Sequence, residues 1–243
     1  MALPVFPYSA GTRVPGSKRL GVERAIVVGA HPDDEVLGCG GLVARLVAEG
    51  AQVRVLIVCG ATTSRREVEE PGGGERLAES ERAMAVLGIS RVERFEQPDN
   101  RLDTVPLLDL IQSIERAGLA WEPDLILTHE PTDLNVDHRI AHQAAITAFR
   151  PLPGRKPMRI WAFEVPGSSA WQDPALSAFQ PSVYVDIEGH LEVKLRAMQC
   201  YVSELREPPH PRSLAGIETL ARWRGQQMGR GAAEAFHLVR ETC

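Results

Sequence analysis

Short apolar runs alternate with stretches of helical periodicity along most of this chain, and that alternation narrows its fold more than any other feature. Ala25-Ile-Val-Val-Gly-Ala30 is a continuous apolar run, as a buried parallel strand requires. Residues 36–49 then repeat their apolar side chains at helical spacing through Val36, Leu37, Leu42, Val43 and Leu46, and Gly50 closes the helix. The pattern continues as strand 53–58, a Gly-rich loop at 71–74, helix 75–87, strand 92–96, helix 105–117, strand 124–128 and helix 138–150. Strands 159–165 and 183–187 and a helix over 191–204 follow, while 150–182 and 208–211 read as long loops. The order predicts a Rossmann-like α/β fold, a mostly parallel sheet with helices on both faces. One domain spans 1–243, with 1–24, broken by Pro4, Pro7, Gly11, Pro15 and Gly16, as an irregular leader.

Charge and cysteine usage exclude several partners. A net charge of −5 without a long basic run gives no footprint for nucleic acid, so a small or neutral substrate is expected. Cys39, Cys59, Cys200 and Cys243 are widely spaced, which suggests neither a thiolate zinc site nor a disulfide framework and suits a reducing cytoplasm. No segment reaches the roughly 18 apolar residues of a transmembrane span. The expectation is a cytoplasmic protein; the sequence is compatible with a homo-oligomer but does not fix one.

Open α/β sheets bind ligands at the carboxyl ends of their strands, and there the first strand delivers His31-Pro-Asp-Asp34. Imidazole nitrogen and carboxylate oxygen are good zinc ligands, and a catalytic zinc takes three protein groups and leaves a position for water. His31 and Asp34 supply two. The third is expected from Asp133-Leu-Asn-Val-Asp-His-Arg139, just beyond strand 124–128, where His138 is the candidate. Asp33 beside the site fits a general base. Asp137 is expected to accept an imidazole N–H and orient the site. Asp99, after the third strand, can orient substrate hydroxyls or simply terminate the strand as a turn residue.

Ala30-His-Pro-Asp-Asp-Glu35 with Gly38-Cys-Gly-Gly41, and later Asp133-Leu-Asn-Val-Asp-His138, resemble the PIG-L/LmbE-like zinc N-deacetylases. The likeness extends to Arg76-Leu-Ala-Glu79, Pro98-Asp-Asn100, Val185-Asp-Ile187, Lys194, Arg224-Gly225 and Ala233-Glu-Ala-Phe236, and so covers most of the chain. It implies hydrolysis of an N-acetyl group on an acetylated amino sugar or glycoconjugate. It maps His31, Asp34 and His138 onto the zinc ligands, Asp33 onto the base, and Arg76 onto a position that meets substrate near the metal. One departure stands out: many relatives carry a histidine that serves as acid or transition-state donor where this chain has Asn135. An amide donates a hydrogen bond but shuttles no proton. The expectation is therefore that Asp33 carries the proton to the leaving amine, while Asn135, or one of His129, His142 and His190, helps stabilise the oxyanion.

Other readings compete. Asp33, Asp34 or Asp137 can cap helices, and His142, one turn after His138, can be a packed residue. The glycines 38, 40 and 41 fit close helix packing better than a phosphate loop, since no Gly-Lys-Ser/Thr follows them. Trp161, Trp171 and Trp223 can stack on a sugar or fill core and interface, and Arg222, Arg224 and Arg230 read as a solvated basic face. Iron or cobalt can occupy a zinc-type ligand set. A metal phosphoesterase needs more carboxylate ligands than the motifs assign, and a non-catalytic carbohydrate-binding protein, hinted at by Asn135 alone, is opposed by the intact His31, Asp33, Asp34 and His138.

Overall fold

The computed structural model describes residues 19–60, 74–89 and 91–242. The first 18 residues of the expected leader, and positions 71–73 of the Gly-rich loop, lie outside them.

Seven strands form one sheet in the order β3-β2-β1-β4-β5-β7-β6. In chain order the elements are β1 (Arg24–Gly29), α1 (Asp34–Ala48), β2 (Gln52–Cys59), α2 (Gly74–Leu87), β3 (Arg91–Gln97), α3 (Leu107–Gly118), β4 (Leu125–His129), α4 (Val136–Ala148), β5 (Arg159–Phe163), β6 (Val183–Asp186), α5 (Leu191–Gln199), α6 (Leu214–Gln226) and β7 (Ala233–Glu241). Strands β1 to β5 pair in parallel, and β7 runs antiparallel between β5 and β6. This is the expected mostly parallel sheet. The chain steps outward from β1 through β2 to β3, then returns to lay β4 on the other side of β1. The crevice between β1 and β4 is thus the point where strand order reverses, the place where such sheets bind ligands.

Alternation along β1 divides the core. Ala25 and Val27 pack with α1, α2, α5 and α6, whereas Ile26 and Val28 pack with α3 and α4 on the opposite face. The glycines of α1 serve that packing. A Cβ on Gly38 would overlap the Phe163 ring, and one on Gly41 would come within 2.6 Å of Ile187 Cδ1. The helix kinks at Cys39 (φ −148°, ψ 18°). The N–H groups of Gly41 and Leu42 instead donate to Glu234 at 2.9 and 2.6 Å, and Lys194, bonded to Glu234 at 2.6 Å and to the Leu37 carbonyl at 2.9 Å, holds that carboxylate in place.

Several boundaries differ from the sequence reading. Helix α4 begins at Val136, before His138, because Asn135 caps it. Helix α5 stops at Gln199, and the chain to Ser213 is irregular. Neither α6 nor β7 was anticipated. Two of the three arginines expected on a solvated face are paired: Arg224 on α6 with Glu164 at 2.7 Å, and Arg230, beyond the end of that helix, with Asp186 at 3.6 Å. No helix among the described residues is long and apolar enough to cross a membrane.

Candidate active site

The turn after β1 is tight and strained. His31 N–H donates to Asp34 Oδ2 at 2.7 Å, so the carboxylate folds back on its own turn. Between them Asp33 is held at φ 119°, in the region that disfavours a side chain, with its N–H donating to Glu35 Oε2 at 3.2 Å. The strain holds Asp33 and Asp34 in different directions: Asp34 lies against His138, while Asp33 lies 3.4 Å from Arg212 Nη1.

Three groups that can hold a metal converge under this turn. One ligand atom each from His31, Asp34 and His138 lies within 4.8 Å of the others. His138 Nε2 and Asp34 Oδ1 are 3.4 Å apart, and both are buried without a hydrogen-bond partner. His31 Nδ1 lies 3.5 Å from the other oxygen of Asp34. Zinc bonds near 2.1 Å in tetrahedral array put neighbouring ligand atoms about 3.4 Å apart. Separation, donor type and the orphaned buried atoms all fit a zinc ion. A second grouping, His31 with Cys59 and Asp137, also comes together. Its carboxylate is already engaged, accepting from Asn100 N–H at 2.6 Å and Leu102 N–H at 3.0 Å. Asp137 Oδ2 then stands 3.0 Å from His31 Nε2, an arrangement that would leave Nδ1 free to face a metal.

Around these three residues the hydrogen bonding is only partly closed, His138 Nδ1 and His129 Nδ1 being buried without a hydrogen-bond partner among the described residues. His138 Nδ1 faces Asp133 Oδ1 at 3.1 Å, and Asp133 also accepts from Ser168 Oγ (3.0 Å), Ser169 Oγ (2.5 Å) and Asn135 N–H (2.9 Å). His129 stacks on His138 with ring centres 4.0 Å apart, and its Nε2 accepts the Ala30 N–H at 2.9 Å. Burial, with His138 alongside, pushes His129 down to about 4, so it remains neutral. Burial alone would raise Asp34, but His138 and His129 beside it hold its carboxyl well below the usual range. Burial drives Asp33 well above that range against the pull of Arg212, with the Asp34 charge adding to the rise. Glu35, pushed up by burial to about 7, accepts the Tyr201 hydroxyl at 2.5 Å.

The other expected residues divide. Asp99 is at the site, its Oδ1 3.0 Å from His31 Nε2, and so does more than end a strand. Arg76 extends toward Asp99 at 3.9 Å, but its nearest partner is Glu204 at 2.5 Å. Asn135 is the α4 cap: its Oδ1 accepts the Asp137 N–H at 2.8 Å and its Nδ2 donates to Asn100 Oδ1 at 3.3 Å. His142 packs beneath the site with Nδ1 2.7 Å from the His129 carbonyl. His190 sits in a short turn against α1 instead. Trp161 is buried, while Trp171 and Trp223 are exposed. Sequence reasoning gave no role to Arg212, Glu204, Tyr201 or Ser169, which reach the site from loops more than 30 residues away in the chain; the reading of 150–182 as a long loop covers Ser169, and nothing in the sequence marked the other three.

A mostly parallel sheet with a His/Asp/His cluster at its reversal point makes this an α/β protein with a group of side chains that could hold a metal ion. Residues 26–149 match the family model described as PIG-L, GlcNAc-PI de-N-acetylase, and the chain belongs to that family. A diacetylchitobiose deacetylase of Thermococcus kodakarensis is 26% identical over 231 residues, covering 90% of this chain and 84% of that protein. Among solved structures, N,N′-diacetylchitobiose deacetylase from Pyrococcus horikoshii superposes with a TM-score of 0.75 at 20% identity, covering 90% of this chain and 84% of that one. GalB, the 4-carboxy-2-hydroxymuconate hydratase of Pseudomonas putida, shares the fold at a TM-score of 0.67 and 22% identity, covering 91% of this chain and 98% of that one.

Proposed function

We propose that this protein is a zinc-dependent hydrolase that removes the N-acetyl group from an acetylated amino sugar or its conjugate. The observation that carries the reading is the pair of buried, unpartnered ligand atoms, Asp34 Oδ1 and His138 Nε2, with His31 as third ligand and Asp33 in the same turn. Membership of a family described by de-N-acetylation, and likeness to a deacetylase of an acetylated disaccharide, support the substrate class. Cys39, Cys59 and Cys200, all free, suit a cytoplasmic setting.

His31, Asp34 and His138 hold the ion, which when bound supplies Lewis acidity to the scissile carbonyl and lowers the pKa of water. Asp33 takes a proton from the attacking water and, as the C–N bond breaks, delivers it to the leaving amine, so that acetate and a free amine result. Asp137 keeps His31 in the ligating tautomer, and Asp133 does the same for His138. Asn135, on the loop between these two aspartates, offers an amide donor to the oxyanion. Asp99 and Arg76 line the side where sugar hydroxyls bind.

Acetate release from N,N′-diacetylchitobiose and N-acetylglucosamine by zinc-loaded protein tests the reading, beside Asp33→Asn. Turnover lost in the variant with zinc retained supports it; full turnover in Asp33→Asn removes the mechanism. Two metals per chain with phosphate-ester cleavage would favour a phosphoesterase, and sugar binding without acetate release a carbohydrate-binding protein.

A further inference from the structure

The loop after β5 meets the loop after β4 at one buried carboxylate. Asp133 is 1% exposed, and a carboxylate so placed must be matched by donors, because an ionised group without them is costly to bury. Its two oxygens are served unequally. Oδ2 accepts Ser168 Oγ at 3.0 Å and Ser169 Oγ at 2.5 Å, while Oδ1 accepts the Asn135 N–H at 2.9 Å and stands 3.1 Å from His138 Nδ1. That last approach does not complete a hydrogen bond: His138 Nδ1 is buried without a partner of suitable geometry among the described residues. The carboxylate is therefore placed by the two serines and the Asn135 N–H, and the imidazole meets an oxygen that is already fixed.

The serines are held in turn by the end of β5. Ser169, also buried, accepts the Val165 N–H at 2.8 Å, and its own N–H donates to the Val165 carbonyl at 3.2 Å. A hydroxyl has a single hydrogen to give. With Val165 N–H on one lone pair, that hydrogen is directed to Asp133. Ser168 reaches the same Oδ2 from the half-buried rim, and its carbonyl accepts the Leu134 N–H at 3.2 Å, which ties the backbone beside Asp133 to the same turn. The roots of the two loops are joined as well, Glu130 N–H donating to the Phe163 carbonyl at 3.0 Å. Position thus passes from the sheet through two hydroxyls to the carboxylate. From there it passes to His138, whose Nε2 lies 3.4 Å from Asp34 Oδ1.

We propose that Ser168 and Ser169 are positioning residues of the metal centre, locking Asp133 so that its Oδ1 keeps the His138 proton on Nδ1 and leaves Nε2 for the ion. Without the hydroxyls, Oδ2 would be a buried charged oxygen with no donor, and the carboxylate would turn toward other donors. The imidazole would then lose the acceptor that selects its tautomer and orients its ring. This inference rests on the metal reading of the site and not on which amide is cleaved.

Zinc affinity of the full chain, measured by competition with a chromophoric chelator, tests this in wild type, Ser168→Ala, Ser169→Ala, Asp133→Asn and the double variant Ser169→Ala/Asp133→Asn. Thermal unfolding of each metal-free protein is followed alongside. Ser169→Ala should weaken zinc binding about tenfold, the scale on which partners of metal ligands act, and Ser168→Ala by about threefold. Because the serines act through Asp133, Ser169→Ala should add about twofold or less to the loss already present in Asp133→Asn. Wild-type affinity in a folded Ser169→Ala, or a loss that adds in full to that of Asp133→Asn, overturns the proposal. If Ser169→Ala does not fold, Ser168→Ala decides: weaker zinc binding at wild-type unfolding temperature sustains the proposal, and unchanged affinity overturns it. A wild type that binds no zinc overturns the metal reading and this inference with it, whereas zinc held equally by wild type and the serine variants overturns this inference alone.

Discussion

Arg212 Nη1 lies 3.4 Å from Asp33 Oδ2, joining a loop near the end of the chain to the strained turn after the first strand. The same guanidinium approaches Glu204 Oε2 at 3.9 Å, and Glu204 binds Arg76 at 2.5 Å, which in turn faces Asp99. Charges alternate around one side of the site from the proposed base to the side chain beside His31. Arg212 thus aims Asp33 and offsets the carboxylates crowded around it.

Arg212→Ala is accordingly expected to lower kcat by roughly 10- to 100-fold, the scale on which small misplacements of catalytic groups act. Zinc content should remain at the wild-type level, because Arg212 touches no ligand. Arg212→Lys should recover only part of the loss, since a point charge does not reproduce the planar fork. Kinetics and metal analysis on the same preparations check this; unaltered kcat in the alanine variant would show that Asp33 needs no such support.

Asn135 offers two separable contributions. Its Oδ1 caps α4 and its amide donates. Asn135→Ala should cost about 1 kcal/mol of stability as a lost cap and also slow turnover. Asn135→Asp keeps a capping oxygen and loses the amide, so it should melt near the wild-type temperature yet turn over about tenfold or more slowly, as expected for a missing oxyanion donor. Unchanged turnover in Asn135→Asp would reduce the residue to a cap.

Asp124 secures the entry to β1 and β4 from outside the site. Its Oδ2 accepts the N–H groups of Glu23 and Arg24, each at 2.8 Å, and Lys156 pairs with its other oxygen. Partial burial opposes ionisation, but Lys156 and the two N–H donors outweigh it and hold the carboxyl below its ordinary value. A folded-state pKa below the unfolded one stabilises the fold above the unfolded value, about 3.9, and the gain is lost as pH falls through the folded value. Asp124→Asn should therefore lower stability by about 1–2 kcal/mol at pH 7, with the gap to wild type narrowing below about pH 4. Denaturant titrations at pH 7 and pH 3 measure it, and a gap constant between them would contradict the assignment.

What could be read from the sequence follows from how local its causes are. The run 25–30 read as a strand because it is only six residues long, carries the β-branched Ile26, Val27 and Val28 and ends in a tight polar turn, and the helix after it announced itself by period. His31, Asp34 and His138 were legible because strand ends in a parallel sheet share one edge, so chain position predicts proximity. The α6–β7 segment was not legible: β7 inserts antiparallel between β5 and β6, far from both in the chain, and its sequence AEAFHLVRE mixes buried and exposed positions. Arg212 and Glu204 were out of reach because their loop has no period, and only tertiary contact brings it over the site. The fold does not settle the chemistry, since a hydratase shares it; the side chains at the site distinguish one reaction from another.

Elemental analysis of the purified protein, set beside His31→Ala and His138→Ala, decides whether the His31, Asp34 and His138 cluster holds a metal. About one zinc per chain is expected in the parent and none in either variant, with both variants still folded by circular dichroism. A parent that takes up no metal when zinc is supplied, or variants that retain it, would contradict the site.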